Sequence, residues 1–216
     1  MNADFLARWY RWVEYIAFGR ALEKSRTTFL NRLQNRKRIL ILGEGDGRTL
    51  QQLLQIIPSA EIPAAEIEVV ESSRNMIALA QKRIQEGSHV QFRNIDARTI
   101  TWPANTYDAI ITHFFFDCFS EQEIRILMDN LTQSLQPEGL WLLTDFSIPQ
   151  KGWRNWHARI WVSIMYRFFN WTTGLAVRNL PPSENLMEDA GLHRIDRKIT
   201  RAGLISASIW QKTEIH

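Results

Sequence analysis

Three glycines follow a short apolar run, and this segment is the best suited to chemistry. Residues 39–42 read Ile-Leu-Ile-Leu, and Gly43, Gly45 and Gly47 come directly after them. Leucines at helical spacing beyond the turn predict a helix over 47–57. Glycine is required where a side chain would block a ligand or where φ is positive. A strand, a glycine turn and a helix in this order bring the backbone close to a nucleotide-like ligand.

The spacing of the glycines narrows the kind of ligand. A dinucleotide fingerprint reads G-x-G-x-x-G, whereas this turn reads G-x-G-x-G, with Arg48 where the third glycine would fall. The pattern disfavours a nicotinamide or flavin cofactor, so a nucleotide-dependent oxidoreductase is an alternative that the spacing argues against. It favours an adenosyl ligand without a pyrophosphate.

A carboxylate stands at the end of the next predicted strand. Glu71 follows the run 66–70 and comes 24 residues after Gly47, near the usual offset of a ribose-binding acidic residue. Its two acceptor oxygens can take hydrogen bonds from both ribose hydroxyls. Glu71 can also cap the helix that follows, and the two roles are compatible.

Polar side chains also follow the third and fourth predicted strands. Asp96 and Ala97 come after the third strand, and Thr112-His113 end the fourth, with Asp117 one turn beyond His113. A carboxylate there can orient the imidazole and raise its basicity. His113 and Asp117 are therefore the candidate catalytic pair for an oxygen or nitrogen nucleophile.

Other interpretations of these side chains stay open. His113 can simply line a cofactor while Asp117 caps a helix that starts near Ser120. His157 is a further candidate base, and Asp145 also points toward the crevice because it ends the fifth predicted strand. The five histidines are scattered and there is one cysteine, so we expect no metal site and no internal disulfide.

Alternating strand and helix patterns predict the architecture that positions these residues. Apolar runs predict strands at 38–42, 66–70, 89–93, 107–113 and 139–145, with helices at 47–57, 73–86 and 121–136. The turn Pro137-Glu138-Gly139 is expected to end the third helix. Such alternation means crossover connections and a mainly parallel sheet. A helix at 183–190 and strands at 192–199 and 203–211 predict an antiparallel pair near the C-terminus.

The chain is interpreted as one domain. Its 216 residues are 45% hydrophobic, which suits a single α/β core. The expected parts are an N-terminal helical cap (1–37), a cofactor-binding core (38–147), a helical substrate-cap insertion (148–182), and a C-terminal helix with a strand pair (183–216).

Residues 38–147 resemble class I S-adenosylmethionine-dependent methyltransferases, with the small-molecule and quinone or lipid methyltransferases as the most similar in style. The glycine turn, Val69 to Met76, Asn94 to Ala97 and Thr112 to Phe119 carry this resemblance. It implies a Rossmann-like, doubly wound α/β fold with a seven-stranded sheet, mostly parallel with an antiparallel C-terminal strand. It also implies that N-terminal helices and a helical insertion after the fifth strand cover the site.

The resemblance implies S-adenosyl-L-methionine as the cofactor and assigns its contacts. Family members carry an acidic residue where Ile41 stands, so Glu44 is expected to contact the amino group instead. Glu71 is expected to bind the ribose, Asp96 the adenine amine, and the amide of Ala97 a ring nitrogen. The expected cofactor-binding residues are Gly43, Glu44, Gly45, Gly47, Glu71, Ser72, Met76, Asp96, Ala97, Thr112 and His113.

Aromatic residues indicate the kind of methyl acceptor. They are dense between Trp153 and Trp171 and between Trp9 and Phe18, regions that commonly cover the active site in this family. They predict an apolar pocket for a small aromatic or lipophilic acceptor. Arginines interleave with the first group, which makes peripheral membrane contact an additional hypothesis.

Charge and patterning weigh against other classes. The net charge of +3 is too small to indicate a nucleic-acid partner, and the basic stretch 26–38 is interpreted as a solvated helix face. Two alternatives stay open: an RNA methyltransferase and a cofactor-binding module without catalysis. The sequence lacks the Asn-Pro-Pro-aromatic run after the fourth strand that is typical of methylation of base amino groups. No apolar run reaches the length of about 18 residues needed to span a bilayer, so we expect a cytoplasmic protein. Monomer and homodimer both stay open as the oligomeric state.

Overall fold

The computed structural model describes residues 21–57, 65–84, 89–147, 181–200 and 203–212. Within them the chain forms a seven-stranded sheet of order β3-β2-β1-β4-β5-β7-β6. The strands are β1 Arg38–Leu42, β2 Glu66–Val70, β3 Val90–Arg93, β4 Tyr107–His113, β5 Leu135–Phe146, β6 Leu192–Thr200 and β7 Ile205–Lys212. Strand β7 runs antiparallel to both β5 and β6, and the pairs among β1 to β5 are parallel.

Helices connect the strands and flank the sheet. They are α1 Ala21–Arg26, α2 Arg48–Ile56, α3 Arg74–Arg83, α4 Glu121–Ser134 and α5 Ser183–Asp189. Short 3₁₀ turns cover Leu30–Leu33, Ala97–Thr99 and Phe116–Cys118. Helix α4 begins at a capping box in which Ser120 and Glu123 satisfy each other's backbone amides, the arrangement that a serine followed three residues later by glutamate predicts.

Both faces of the sheet are buried, because the central strands are apolar at odd and even positions alike. Leu40 and Leu42 of β1 pack with α4 and Trp141 on one face. Ile39 and Ile41 pack with the apolar side of α2 on the other. Continuous apolar strands of this kind are what a parallel sheet covered on both sides requires.

The order of the strands reverses between β1 and β4, since β2 and β3 lie on one side of β1 and β5 on the other side of β4. In an open sheet of parallel strands the ligand crevice lies outside the carboxyl ends of the strands at such a switch point. The residues after β1, β2, β3 and β4 therefore line one rim. These are the segments that contain the predicted site residues.

The predicted fold class and the predicted strands are confirmed, and the clearest difference lies before β5. Helix α4 ends at Ser134, and β5 begins at once with Leu135. Leu135 pairs with Tyr107 while Leu140 pairs with Ala109, so the residues between them bulge out, with Glu138 at a φ of 59°. The predicted turn chemistry therefore forms a bulge inside β5 and does not end the helix.

Some predictions lie outside the described residues. The N-terminal helical stripe 4–18 and the aromatic insertion between Trp153 and Trp171 are among them, and so is His157. The predicted division of the chain into a cap, a core, an insertion and a C-terminal part stays a prediction for the same reason.

Candidate functional site

The three glycines of the turn all have positive φ, but each has a different environment. A Cβ on Gly43 would come within 2.7 Å of Phe115 Cδ2, and one on Gly47 within 2.6 Å of Ala80 Cα. A Cβ on Gly45, whose φ is 68°, would meet nothing within 4 Å. Gly43 and Gly47 are therefore needed for packing inside the protein. Gly45 presents bare backbone to open space at the rim.

Two arginines, one from α3 and one from α2, hold the glycine turn through Asp46. Arg83 Nε donates to the carbonyl of Asp46 at 2.9 Å, and Arg83 Nη2 lies 3.1 Å from Asp46 Oδ2. Arg48 Nε donates to the same carboxylate oxygen at 3.1 Å. Asp46 side chain and backbone are thus both held, which fixes the shape of the glycine turn before any ligand arrives.

Glu71 joins the end of β2 to the turn. Its Oε2 accepts from the amide of Gly45 at 3.2 Å, and its Oε1 accepts from the amide of Ser73 at 2.8 Å. Ser73 is the N-cap of α3, so Glu71 braces the start of that helix, as one of the two interpretations expected. Each carboxylate oxygen keeps a second acceptor site, so this brace leaves capacity for ribose hydroxyls.

Glu44 turns toward the start of α2. Its Oε1 accepts from the amide of Leu50 at 2.9 Å. Burial raises the pKa of Glu44 to about 8, although the helix amides and the charge of Arg26 act in the opposite direction. Glu44 is therefore largely neutral at pH 7 and occupied with capping. Its expected contact with a cofactor amino group stays a prediction.

The segment after β3 holds its acidic residue by an ion pair. Arg98 Nη2 lies 2.6 Å from Asp96 Oδ2 and its Nη1 lies 2.6 Å from Glu123 Oε1. The hydrogen bonds from Arg98 hold the pKa of Asp96 below its usual range. Asp96 is thus an ionised acceptor on the rim, next to the buried Ala97, and its expected role toward adenine stays a prediction.

The remaining cofactor-site predictions lie at the same rim. Ser72 is exposed directly after Glu71, and its carbonyl accepts from Asn94 Nδ2 at 2.8 Å. Met76 is half-buried in the first turn of α3. Thr112 is fully buried, and its Oγ1 accepts from Trp141 Nε1 at 2.9 Å, so the hydroxyl of Thr112 is part of the core of the sheet.

His113 ends β4 in a buried position with 8% of its surface exposed. Burial and the positive charge of Arg26 lower the pKa of His113 to about 3. Its Nδ1 has no hydrogen-bond partner among the described residues. The imidazole is therefore neutral across the physiological range and offers one unpaired polar atom.

Among the described residues, no hydrogen bond joins Asp117 to His113. It lies beside Asp145, and the two carboxyls influence each other's protonation. Asp117 does not cap α4 either, because Ser120 and Glu123 do so. The structure thus pairs Asp117 with a carboxyl where the sequence had suggested an imidazole; the catalytic role of His113 and Asp117 stays a prediction.

Two residues of the site were missed or undervalued from sequence. Arg26 belongs to the basic stretch interpreted as a solvated face, yet its guanidinium lies 5.1 Å from the centroid of the Phe114 ring. Its charge acts on Glu44, His113 and Asp117. Only the long-range packing of α1 against the rim brings it there. Asp145, noted from topology alone, is buried at the end of β5.

The residues at the rim fit an adenosyl cofactor. Open space beside the backbone of Gly45 lies next to a carboxylate with spare acceptor sites, and a second ionised carboxylate follows β3. Among the described residues no group of three or more metal-ligating side chains is present. Within the same part of the chain no helix has the length and apolar character needed to cross a bilayer.

One segment of the chain matches a known protein family. Residues 39–139 match the family model described as a methyltransferase domain, and the seven-stranded sheet, parallel except at β7, agrees with the fold predicted above. The prediction of a class I S-adenosylmethionine-dependent methyltransferase domain is therefore confirmed over this segment.

Individual relatives are consistent with that class. A demethylmenaquinone methyltransferase of Thermus thermophilus is 30% identical over 117 residues, which are 54% of this chain and 50% of that protein. The chain thus spans about half the length of this curated relative.

Solved structures show the same fold at low identity. A Burkholderia thailandensis 1,6-didemethyltoxoflavin-N1-methyltransferase superposes with a TM-score of 0.66 at 15% identity, covering 98% of this chain and 87% of the other. The N-methyltransferase NodS of Bradyrhizobium japonicum superposes with a TM-score of 0.63 at 16% identity, covering 89% and 97%.

Proposed function

We propose that this protein binds S-adenosyl-L-methionine across the rim and transfers its methyl group to a small acceptor. One observation carries the proposal: the bare backbone of Gly45 faces open space directly beside the Glu71 carboxylate, at the switch point of the sheet. S-adenosyl-L-methionine matches both features: its ribose hydroxyls can donate to a carboxylate, and its methionine chain can lie against bare backbone.

The residues proposed to hold the cofactor follow the order of the strands. Glu71 binds the ribose hydroxyls, Asp96 and the amide of Ala97 bind the adenine, and Gly45 lies along the methionine part. When bound, the cofactor supplies an electrophilic methyl group and departs as a neutral thioether, so the protein has no developing anion to stabilise there. Its tasks are to align the acceptor, exclude water and remove a proton where one must leave.

Two pairs of phenylalanines near the ends of β4 and β5 support an aromatic or lipophilic acceptor. Phe115 and Phe119 have ring centroids 4.9 Å apart, and Phe114 and Phe146 are equally close. Phe114 is held at a φ of 52°, a backbone conformation that costs energy for a bulky residue and is often kept at functional sites. The relatives that act on demethylmenaquinone and didemethyltoxoflavin, named above, point to the same kind of acceptor.

The RNA alternative gains no support from the basic stretch 26–38. The backbone amides of Lys37 and Arg38 donate to the carboxylate of Asp108, and the Arg38 side chain pairs with Glu66 at 3.5 Å. Arg26 lies against the site. A small-molecule acceptor is therefore the proposal; cytoplasmic location, membrane contact and oligomeric state stay predictions.

Calorimetric titration with S-adenosylhomocysteine, the demethylated product, tests the cofactor site. Glu71→Ala is expected to weaken binding by about 10- to 100-fold, because hydrogen bonds to an ionised carboxylate are worth about 1.5–3 kcal/mol. Glu66→Ala is the matched control, since Glu66 stands exposed at the other end of β2 and should leave affinity unchanged. Absence of saturable binding by the unaltered protein overturns the proposed function.

A further inference from the structure

Two carboxyls meet where β4 and β5 end. Asp117 stands in the 3₁₀ turn after β4, and Asp145 is the penultimate residue of β5. Asp145 has 6% of its surface exposed. Both oxygens of Asp145 and Oδ1 of Asp117 are buried and make no hydrogen bond of good geometry with the described residues. The two carboxyls face each other, and the Ser183 side chain lies beside Asp145. Nδ1 of His113 is also buried without a hydrogen-bond partner among the described residues.

Such a cluster is costly in an empty protein. A buried polar atom without a partner loses about 1–3 kcal/mol relative to one that is hydrogen-bonded. Each such group needs an explanation, and a catalytic role or a bound group that completes its hydrogen bonds is one. The cluster lies where β4 and β5 end, at the edge of the sheet where ligands of such folds bind.

The charges around the pair come from several elements. Arg26 on α1 is the cation that acts on Asp117, and Glu184 on α5 adds negative charge near Asp145. Glu71 after β2 lies within electrostatic reach of Cys118, as Asp117 and Asp145 do. His113 stays neutral beside them. Within the described part of the chain, acidic groups therefore outnumber basic groups around the pair.

Burial raises the pKa of both carboxyls, and the negative charge of Asp117 raises that of Asp145 further. The pair therefore retains a proton more strongly than two separate carboxyls do, and Asp145, whose pKa is raised the more, holds it. This leaves a buried site that is rich in acceptor oxygens and carries one negative charge.

We propose that Asp117 and Asp145 bind the nucleophilic N–H or O–H group of the methyl acceptor and take up its proton. This inference rests on the proposed function and adds what the acceptor must carry: a proton-bearing nitrogen or oxygen at the reacting position, and no anionic group there. The proton of the N–H or O–H bond passes to a carboxylate oxygen, and the bonding electron pair stays on the nucleophilic atom. Asp145 keeps the proton that the pair already shares, so the ionised Asp117 accepts the hydrogen bond of the donor and takes up its proton.

Infrared spectroscopy of the Glu44→Gln protein, which lacks the other carboxyl of raised pKa, tests the shared proton without any acceptor. The C=O band of a protonated carboxyl is expected to persist above the ordinary carboxyl range of pH. It should disappear in both Asp145→Asn and Asp117→Asn, each of which leaves one carboxyl free to ionise. Asp189→Asn, on the exposed end of α5, should keep the band. A band lost at the pH of ordinary carboxyls overturns the proposal.

Three small aromatic probes then test the ligand class on the protein saturated with S-adenosylhomocysteine. Aniline or phenol, both neutral at pH 7, is expected to bind and to lose about tenfold or more in affinity in Asp117→Asn, since the hydrogen bond to the ionised carboxylate is removed. Benzoate is expected not to bind. Binding of aniline alone assigns a nitrogen acceptor, and binding of phenol alone assigns an oxygen acceptor.

The two proposals fail in different ways. Loss of S-adenosylhomocysteine binding defeats the proposed function, while the infrared result still judges the carboxyl pair. If S-adenosylhomocysteine binds but benzoate binds as well as the other probes, or neither amine nor phenol binds, the pair is not the acceptor site. Equal probe affinity in Asp117→Asn and the unaltered protein has the same meaning. Asp145→Asn serves as the second variant should Asp117→Asn fail to fold.

Discussion

The two halves of the rim differ in whether their polar side chains have hydrogen-bond partners within the described residues. In the half formed by β1, β2 and β3, Glu71, Asp46 and Asp96 are each hydrogen-bonded by backbone amides or by arginines. In the half formed by β4 and β5, Asp145 and His113 are buried with unpaired atoms. Among the described residues, the polar groups of the first half therefore have their hydrogen-bond partners without a ligand, whereas those of the second half do not; the two are called the completed and the incomplete half below. This difference is expected if an invariant cofactor binds one half and a polar acceptor group completes the other.

The largest expected effect concerns the rigidity of the completed half. Gly47→Ala is expected to destabilise the protein by about 3 kcal/mol, because the new Cβ meets the backbone of α3 and φ is positive. Gly45→Ala should cost only about 1 kcal/mol of conformational strain, yet it should weaken S-adenosylhomocysteine binding. Urea denaturation and calorimetry of both variants measure the two effects. Equal destabilisation by the two substitutions would contradict the assignment of Gly45 to the ligand side.

A second prediction uses Cys118 to sense the charge of the incomplete half. Cys118 keeps part of its surface open to solvent, and desolvation, together with the carboxylates Asp117, Asp145 and Glu71, raises the pKa of its thiol to about 12. At about pH 8 its alkylation by iodoacetamide is expected to be about 50-fold slower than that of a free cysteine, since a smaller thiolate fraction is partly offset by higher nucleophilicity.

Variants separate this electrostatic effect from simple shielding. Replacing both carboxyls, in Asp117→Asn/Asp145→Asn, should lower the pKa of Cys118 and speed the reaction, whereas Asp189→Asn on the surface should not change it. A rate near that of free cysteine in the unaltered protein would show that the acidic groups do not converge on this point.

A third prediction is a pH dependence of stability located in the completed half. The folded-state pKa of Glu44, about 8, lies above its unfolded value. Its contribution to stability is therefore fully present below the unfolded pKa and is lost as pH rises through about 8. Glu44→Gln, which keeps an acceptor for the Leu50 amide, should lose less stability than the unaltered protein between about pH 5 and pH 9.

Comparing the two proteins at each pH isolates Glu44 from other groups. His113 acts in the opposite sense, because its lowered folded pKa makes stability fall as pH drops below its unfolded value. That effect is common to both proteins and cancels in the difference. Parallel pH profiles for the unaltered protein and Glu44→Gln would show that Glu44 is not buried against α2.

Most of the fold could be predicted because its signals are local. The apolar runs at β1, β2 and β4 coincide with the observed strands, since a strand buried on both faces must be apolar throughout. The bulge before β5 could not be predicted. It depends on how Leu135 and Leu140 pair with Tyr107 and Ala109, and Pro-Glu-Gly is equally compatible with a helix end.

The candidate site divides in the same way. Gly45, Glu71 and Asp96 were predicted because a glycine turn and strand-end carboxylates are recognisable by spacing along the chain. The contact between Asp117 and Asp145 was not predicted, because the two residues stand on different strand ends that only the sheet order brings together. Arg26 was missed for a related reason: nothing near it in sequence distinguishes it from the surface arginines that follow.

By itself the sequence determined the succession of strands and helices, the glycine turn and the class of ligand that such a turn accepts. These properties depend on residues close together in the chain, where sterics and hydrophobic period act directly. The tertiary structure alone decided which polar groups are satisfied and which are left unpaired. Burial and hydrogen bonding depend on neighbours from distant segments, so the acidic pair at the ends of β4 and β5 exists only once the sheet has assembled.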